Sequence, residues 1–289
     1  MGKLLVLDVG GTFIKYGTAD EKGCLLRDSV RQIPAHAQDD AGAFFEALQT
    51  ILREQGTDAD SACVSIAGPF DFDKGISLMK HKFASLYGLS LRAPFEKRGV
   101  PVSFLHDSTA FMLGEYMDGT LQGASNACCV MLGTGLGFAW MKDGRVCVDE
   151  KQAPALPLWN MPYRDGIAED YVSARAIQRY FGGSLTVREI AGLARSGDER
   201  AVRAFRMAGE ELSNIVSQII SHLGCEKFAL GGQISKSADL LQLRLPIPWA
   251  VTSHPEDAAL FGACRYAALG RNRCVRAAPL SCCSLKAKR

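Results

Sequence analysis

No stretch of this chain is apolar for long enough to cross a membrane. The longest candidate, Ala127 to Met141, is broken by Gly133, Thr134, Gly135 and Gly137 and ended by Lys142. No membrane span is expected. Export features are missing too, since Lys3 is followed by only four apolar residues before Asp8, and a cytoplasmic protein is expected. A net charge of +2 lacks the basicity of a nucleic-acid surface. The tail from Arg271 to Arg289 is basic but has no aromatic residue, and reads as a solvated end. None of the ten cysteines sits in a C-x-x-C pair. With no secretory signal, that predicts reduced thiols rather than a disulfide framework. Cys128 and Cys129 fall in an apolar run and are expected to pack as small hydrophobes, while Cys282 and Cys283 are an oxidation liability of the tail.

What is present is a globular composition, 47% hydrophobic and 22% charged over 289 residues, enough for two domains of ordinary size. The chain is organised around Leu4-Leu5-Val6-Leu7-Asp8-Val9-Gly10-Gly11-Thr12-Phe13-Ile14-Lys15-Tyr16-Gly17. An apolar run of strand length ends near a carboxylate, turns on two glycines and a threonine, and resumes with a cation in it. Glycines let the backbone approach an anion and leave N–H groups free to face it, while Thr12 adds a hydroxyl and Lys15 a charge. Asp8 beside that anion makes sense with a divalent metal between them. An ordinary Gly-Gly hairpin is the plainer reading. A Walker loop and a dinucleotide fingerprint are both excluded by spacing and by the extended character of Phe13 to Ala19.

The device recurs. Cys128-Cys129-Val130-Met131-Leu132-Gly133-Thr134-Gly135-Leu136-Gly137-Phe138 is again an apolar run, a glycine-threonine loop and a second apolar run. Setting Thr12 on Thr134 predicts two related halves, each with a Gly/Thr cradle. Two cradles facing one cleft would hold one polyphosphate.

Between them, Cys24 to Ile33 is expected as a third strand. Phe44, Phe45, Leu48, Ile51 and Leu52 place a helix over Ala41 to Gln55, and Ala62 to Ile66 and Pro101 to Leu105 read as strands. His106-Asp107-Ser108-Thr109 then opens a helix, where Asp107 has the look of an N-cap. In the second half a proline-containing loop spans Val148 to Tyr163. Helices follow over Ile167 to Phe181, after a capping box at Thr186 and Glu189, and over Asp198 to Leu223. Lys227 to Leu230 is a strand entering Gly231-Gly232, and Glu256 to Leu269 a last helix.

Together these residues resemble the ROK family of bacterial sugar kinases, within the actin-like ATPase superfamily. Asp8-Val-Gly-Gly-Thr12 with Lys15 looks like the family's first phosphate motif, Leu132-Gly-Thr-Gly-Leu-Gly137 like the second, and Leu230-Gly-Gly-Gln-Ile-Ser235 like the adenosine loop. Ser65-Ile-Ala-Gly68 is similar to the sugar-side loop, with Ala67 where proline is usual. His106-Asp107-Ser-Thr-Ala-Phe-Met-Leu-Gly-Glu115 and Pro255-Glu-Asp-Ala-Ala-Leu-Phe-Gly-Ala263 resemble two family helices. The matches come in family order over about residues 4 to 267.

The resemblance implies a two-domain actin-like ATPase (ribonuclease H-like) α/β fold with a cleft between domains, each domain a mixed sheet flanked by helices. The domains are expected at 1–108 and 109–270, with the last helix returning to the first, and a tail at 271–289. It implies an ATP-dependent carbohydrate kinase acting on a hexose or hexose derivative, at the 6-hydroxyl. Asp107 would be general base and Asp8 a Mg²⁺ ligand, directly or through water. Gly10, Gly11, Thr12, Lys15, Gly133, Thr134, Gly135, Gly137, Gly231 and Gly232 would bind ATP. Gly68, His106, Asp107 and Glu169 would bind sugar.

Departures accompany it. Val148 to Ile167 has no His or Cys, so no structural zinc is expected. The family's Glu and His sugar ligands of that segment are not evident, and His106 stands where an asparagine is usual. Glu169 remains, in Gly166-Ile-Ala-Glu169, and a helix-dipole role for it stays open. A non-catalytic sugar sensor on the same scaffold, and a chaperone-like ATPase, are the alternatives. The only partner expected is a sugar, with a homodimer left open.

Overall fold

The computed structural model describes residues 2–278 except 21, 39 and 82. The chain divides into two compact units. One holds the chain up to Asp118 together with Val148–Pro154 and Glu256–Ala277; the other holds Gly119–Cys147 and Ala155–Pro255. Each has its own apolar core.

In the first unit β1 (Leu4–Val9) and β2 (Phe13–Ala19) form the expected antiparallel hairpin, with Asp8 opposite Lys15. The strand expected from Cys24 starts only at Arg31, as β3 (Arg31–Pro34), because Arg27–Ser29 takes a helical turn. Ser29 fixes that turn, donating its hydroxyl to the Leu26 carbonyl at 2.6 Å. β4 (Ser61–Ile66) lies parallel to β1, and β5 (Val102–His106) parallel to β4. The sheet order is therefore β3-β2-β1-β4-β5. Helix α1 (Ala41–Glu54) starts where the Asp40 carboxylate accepts the Ala43 N–H, and it buries Phe44, Leu48, Ile51 and Leu52. Helix α2 (Asp107–Asp118) leaves β5 with no intervening loop.

The second unit repeats the plan. Its strands β6 (Ala127–Leu132), β7 (Leu136–Lys142), β8 (Arg145–Val148), β9 (Lys227–Gly231) and β10 (Trp249–Val251) run in the order β8-β7-β6-β9-β10. Here β6 and β7 are an antiparallel hairpin, β8 pairs antiparallel with β7, and β9 is parallel to both β6 and β10. Over these five strands order and directions match the first sheet, so the repeat of the glycine-threonine motif is a repeat of topology.

The helix expected over Ile167 to Phe181 is split into α3 (Glu169–Val172) and α4 (Ala174–Phe181) by an extended Ser173. The break frees the first N–H of α4, which donates to the Gly133 carbonyl at 2.9 Å. Helix α5 (Val187–Arg195) has the Thr186–Glu189 capping box. Helix α6 (Glu199–Leu223) is capped by Asp198, stopped by a left-handed Gly224, and buries Leu212, Ile215, Val216, Ile219 and Ile220.

Helix α7 (Ala258–Leu269) belongs with the first unit and crosses α2. Their backbones meet at two glycines: a Cβ at Gly262 would lie 1.7 Å from the Ala110 carbonyl oxygen, and one at Gly114 2.0 Å from that of Ala258. The start of the expected solvated tail is structured. Arg271–Cys274 is a helical turn and Val275–Ala277 a strand, with Cys274 and Val275 buried. Cys282 and Cys283 lie outside the described residues. The eight described cysteines are free thiols, and all but Cys24 are buried. Among the described residues no helix is long and apolar enough to cross a membrane.

Candidate active site

Three parallel strands of the first unit end side by side, and the predicted chemistry sits on that edge. Asp8 is near the end of β1, in register with Ser65 of β4, and Ile66 is in register with His106 at the end of β5. Open parallel sheets place ligands outside the carboxyl ends of their strands. Ser65 donates its hydroxyl to Oδ1 of Asp8 at 2.8 Å. Loss of water around Asp8 nevertheless pushes its carboxyl up to about 6, with the Asp107 charge adding to the rise and the Ser65 bond and Lys15 opposing it. Asp8 and Asp107 therefore share one electrostatic environment.

Gly10, Gly11 and Thr12 form the turn after β1, closed by the Gly10 N–H donating to the Phe13 carbonyl at 3.0 Å. Gly11 and Thr12 are exposed, and a Cβ at Gly11 would meet nothing within 4 Å. That leaves bare backbone for an anion to approach. Lys15, expected to face the same anion, donates its ammonium to the Glu256 carbonyl at 2.5 Å and to Asp257 Oδ1 at 3.3 Å, and its charge also reaches Asp8.

Asp107 is the first residue of α2 rather than the residue before it. Its Oδ1 accepts from the Ser108 N–H at 2.6 Å and the Ser108 hydroxyl at 3.2 Å, and lies 2.8 Å from His106 Nδ1. The Asp107 side chain is 45% exposed against 15% for His106, so the acid is open to a ligand while the imidazole is enclosed. Gly68 packs on that imidazole, since a Cβ there would lie 3.2 Å from both Cδ2 and Nε2. The Gly68–Pro69 bond is cis.

In the second unit Gly133, Thr134, Gly135 and Gly137 follow β6 as the first-unit loop follows β1, and Thr134 is exposed. Gly231 and Gly232 end β9 beside this loop. Gly232 has φ 82, and a Cβ on it would lie 2.2 Å from the Leu132 carbonyl oxygen, so both its conformation and its space require glycine. Glu169 holds the glycine loop: Oε2 accepts from the Leu136 N–H at 2.9 Å, and Oε1 accepts from Arg175 at 2.8 Å.

Ser65, Asp257 and Arg175 are site neighbours that sequence reasoning left unassigned. Ser65 and Pro255 to Ala263 stood within recognised motifs, but only the parallel register and the return of α7 bring them to Asp8 and Lys15. Arg175 carried no signal. Among the described residues no group of three His, Cys, Asp or Glu side chains is arranged to hold a metal. Mg²⁺ needs no such cage, since it usually takes one or two carboxylates together with phosphate oxygens and water. Asp8, desolvated and repelled by Asp107, fits that role.

The sequence model of the ROK family matches residues 4–151 and 163–276. An N-acetyl-D-glucosamine kinase of Photobacterium profundum is 28% identical over 268 residues, covering 83% of this chain and 86% of that protein. The crystal structure of a ROK family glucokinase from Streptomyces griseus, in complex with glucose and AMPPNP, superposes with a TM-score of 0.73 at 22% identity, covering 91% of this chain and 98% of that one. A ROK family transcriptional regulator, a homologue of the E. coli MLC protein, superposes with a TM-score of 0.76 at 20% identity, covering 91% of this chain and 77% of that one.

Proposed function

Because the chain belongs to the ROK family, we propose that it is a sugar kinase that transfers the γ-phosphoryl group of ATP to the 6-hydroxyl of a hexose or hexose derivative. The observation that carries this reading is Asp107. It is a half-exposed carboxylate at the end of a parallel strand, with Oδ1 held by Ser108 and His106, and close enough to Asp8 to raise its pKa.

Phosphoryl transfer asks a protein mainly for positioning and charge stabilisation. Mg-ATP, when bound, supplies the phosphoryl group and much of the neutralising charge. Asp107 accepts the proton of the sugar hydroxyl as general base. Asp8 holds Mg²⁺, directly or through water, and the repulsion between the two acids favours a cation there. In the turn that Gly10 opens, Gly11 and Thr12 offer N–H groups and a hydroxyl to phosphate; the loop of Gly133, Thr134, Gly135 and Gly137 does the same in the second unit, with Gly231 and Gly232 binding the adenosine. Lys15, which is anchored by Glu256 and Asp257, adds its positive charge toward the phosphates. Gly68 and Asp107 bind the sugar; Glu169 is also read as a sugar ligand, and its carboxylate holds the second glycine loop.

A coupled ADP-release screen over glucose, N-acetylglucosamine, N-acetylmannosamine, mannose, fructose, allose and β-glucosides tests the proposal. Release that depends on one of these sugars supports it. Thermal stabilisation by a sugar with no turnover would favour the second reading, a non-catalytic sugar sensor, for which the engagement of both Glu169 oxygens speaks.

A further inference from the structure

His106 is enclosed on three sides, and each contact bears on where its Nδ1 points. Its Cδ2–Nε2 edge lies against the bare backbone of Gly68, where a Cβ would be 3.2 Å from both atoms. Its ring rests on Phe72 at 6.0 Å between centroids, tilted 52°. Its Nδ1 is 2.8 Å from Asp107 Oδ1. Two assignments compete for Nδ1, because it also lies 3.2 Å from the Ser108 N–H. That N–H has a nearer acceptor, Asp107 Oδ1 at 2.6 Å. The shorter contacts therefore place the proton on Nδ1, which donates to the carboxylate. A hydrogen bond to a charged group is short, as this contact is.

We propose that His106 is a positioning residue: its Nδ1–H fixes the Asp107 carboxylate, and Gly68 is bare because it is the wall that keeps the imidazole in that orientation. The loop at Gly68 is thereby linked to the base through one ring. This rests on the reading of Asp107 as general base. It differs from a direct sugar contact by His106, which would use Nε2, the nitrogen turned toward Gly68.

Side-chain geometry separates the two roles. The amide nitrogen of asparagine reproduces the position of histidine Nδ1, and that of glutamine the position of Nε2. With a sugar that supports turnover, His106→Ala should lower kcat by up to roughly 100-fold, as a misplaced catalytic group does, with the sugar KM within about threefold of wild type. His106→Asn should recover most of the loss and His106→Gln little of it. Gly68→Ala, which presses a methyl on the ring, should also lower kcat, and by less in the His106→Asn protein than in wild type, because the ring is gone there.

Recovery by Gln and not Asn, a loss confined to KM, or additive effects of Gly68→Ala and His106→Asn would each overturn the proposal. Asp107→Asn, run beside these, keeps the two readings apart. If it retains turnover, the general-base reading has failed. If it is inactive while His106→Ala keeps its kcat, only the positioning role has failed.

Discussion

Ser65 and Asp8 are joined by a 2.8 Å hydrogen bond across the parallel strands β4 and β1, and the bond does not offset what burial costs the acid. The Asp8 carboxyl is raised from 3.8 to about 6, chiefly by loss of water and further by the charge of Asp107. In the unfolded chain it returns to the ordinary value. Between those values the folded protein binds a proton that the unfolded chain has released. Its contribution to stability is therefore complete below about pH 4 and is lost as pH rises through about 6.

Denaturant unfolding in a chelator, with wild type and Asp8→Asn followed from about pH 4 to 7, measures this. Relative to the variant, wild type should lose up to roughly 3 kcal/mol across the window, at about 1.36 kcal/mol for each pH unit between the folded and unfolded values. Parallel profiles would contradict the assignment.

The crossing of α2 and α7 leaves no room for a methyl group at either glycine, where the obstacle is main-chain oxygen that cannot turn aside. Gly262→Ala and Gly114→Ala should each destabilise the protein by about 3 kcal/mol or more, in the upper range of overpacking. By contrast, a Cβ on Gly192, inside α5, would meet nothing within 4 Å. Gly192→Ala should be neutral or stabilising by about 0.5–1 kcal/mol. Thermal unfolding of the three variants decides it; an equal response would show that the close approach is not what these glycines are for.

Much of the fold is legible in the sequence where a local signal is strong. The Asp8–Thr12 and Leu132–Gly137 turns, the amphipathic spacing of α1 and α6 and the Thr186 capping box all declare themselves within a few residues, and the structure has each. Register across parallel strands does not, because the partners are far apart in sequence. Ser65 lies 57 residues from Asp8, and nothing in either segment announces the pairing. The break at Ser173 is hidden for a related reason: the carbonyl that the freed N–H of α4 meets belongs to Gly133. Composition misleads at the tail, whose basic residues suggest solvent while Cys274 and Val275 pack inside.

Glu169 offers a test that separates its two proposed roles. Its carboxylate accepts the Leu136 N–H of the second glycine loop and an Arg175 N–H, so its removal should loosen that loop. Glu169→Ala should raise the KM for Mg-ATP by about tenfold, the scale expected when a net hydrogen bond of roughly 1.5 kcal/mol to a charged group is lost. Glu169→Gln keeps an oxygen for Leu136 and should be milder. Steady-state kinetics with each substrate varied in turn reads this out, and a rise confined to the sugar KM would show the Leu136 bond to be incidental.

The central claim is that Asp107 takes the proton of the sugar hydroxyl while other residues hold the nucleotide. Turnover and Mg-ATP affinity of Asp107→Asn, measured on one preparation by ADP release and calorimetry, test it most directly. The account predicts a kcat lowered by about 10²- to 10⁴-fold, the usual worth of a general base, with the Mg-ATP dissociation constant within a few-fold of wild type. A variant that keeps most of its sugar-dependent turnover, or that loses Mg-ATP binding together with it, would contradict the account.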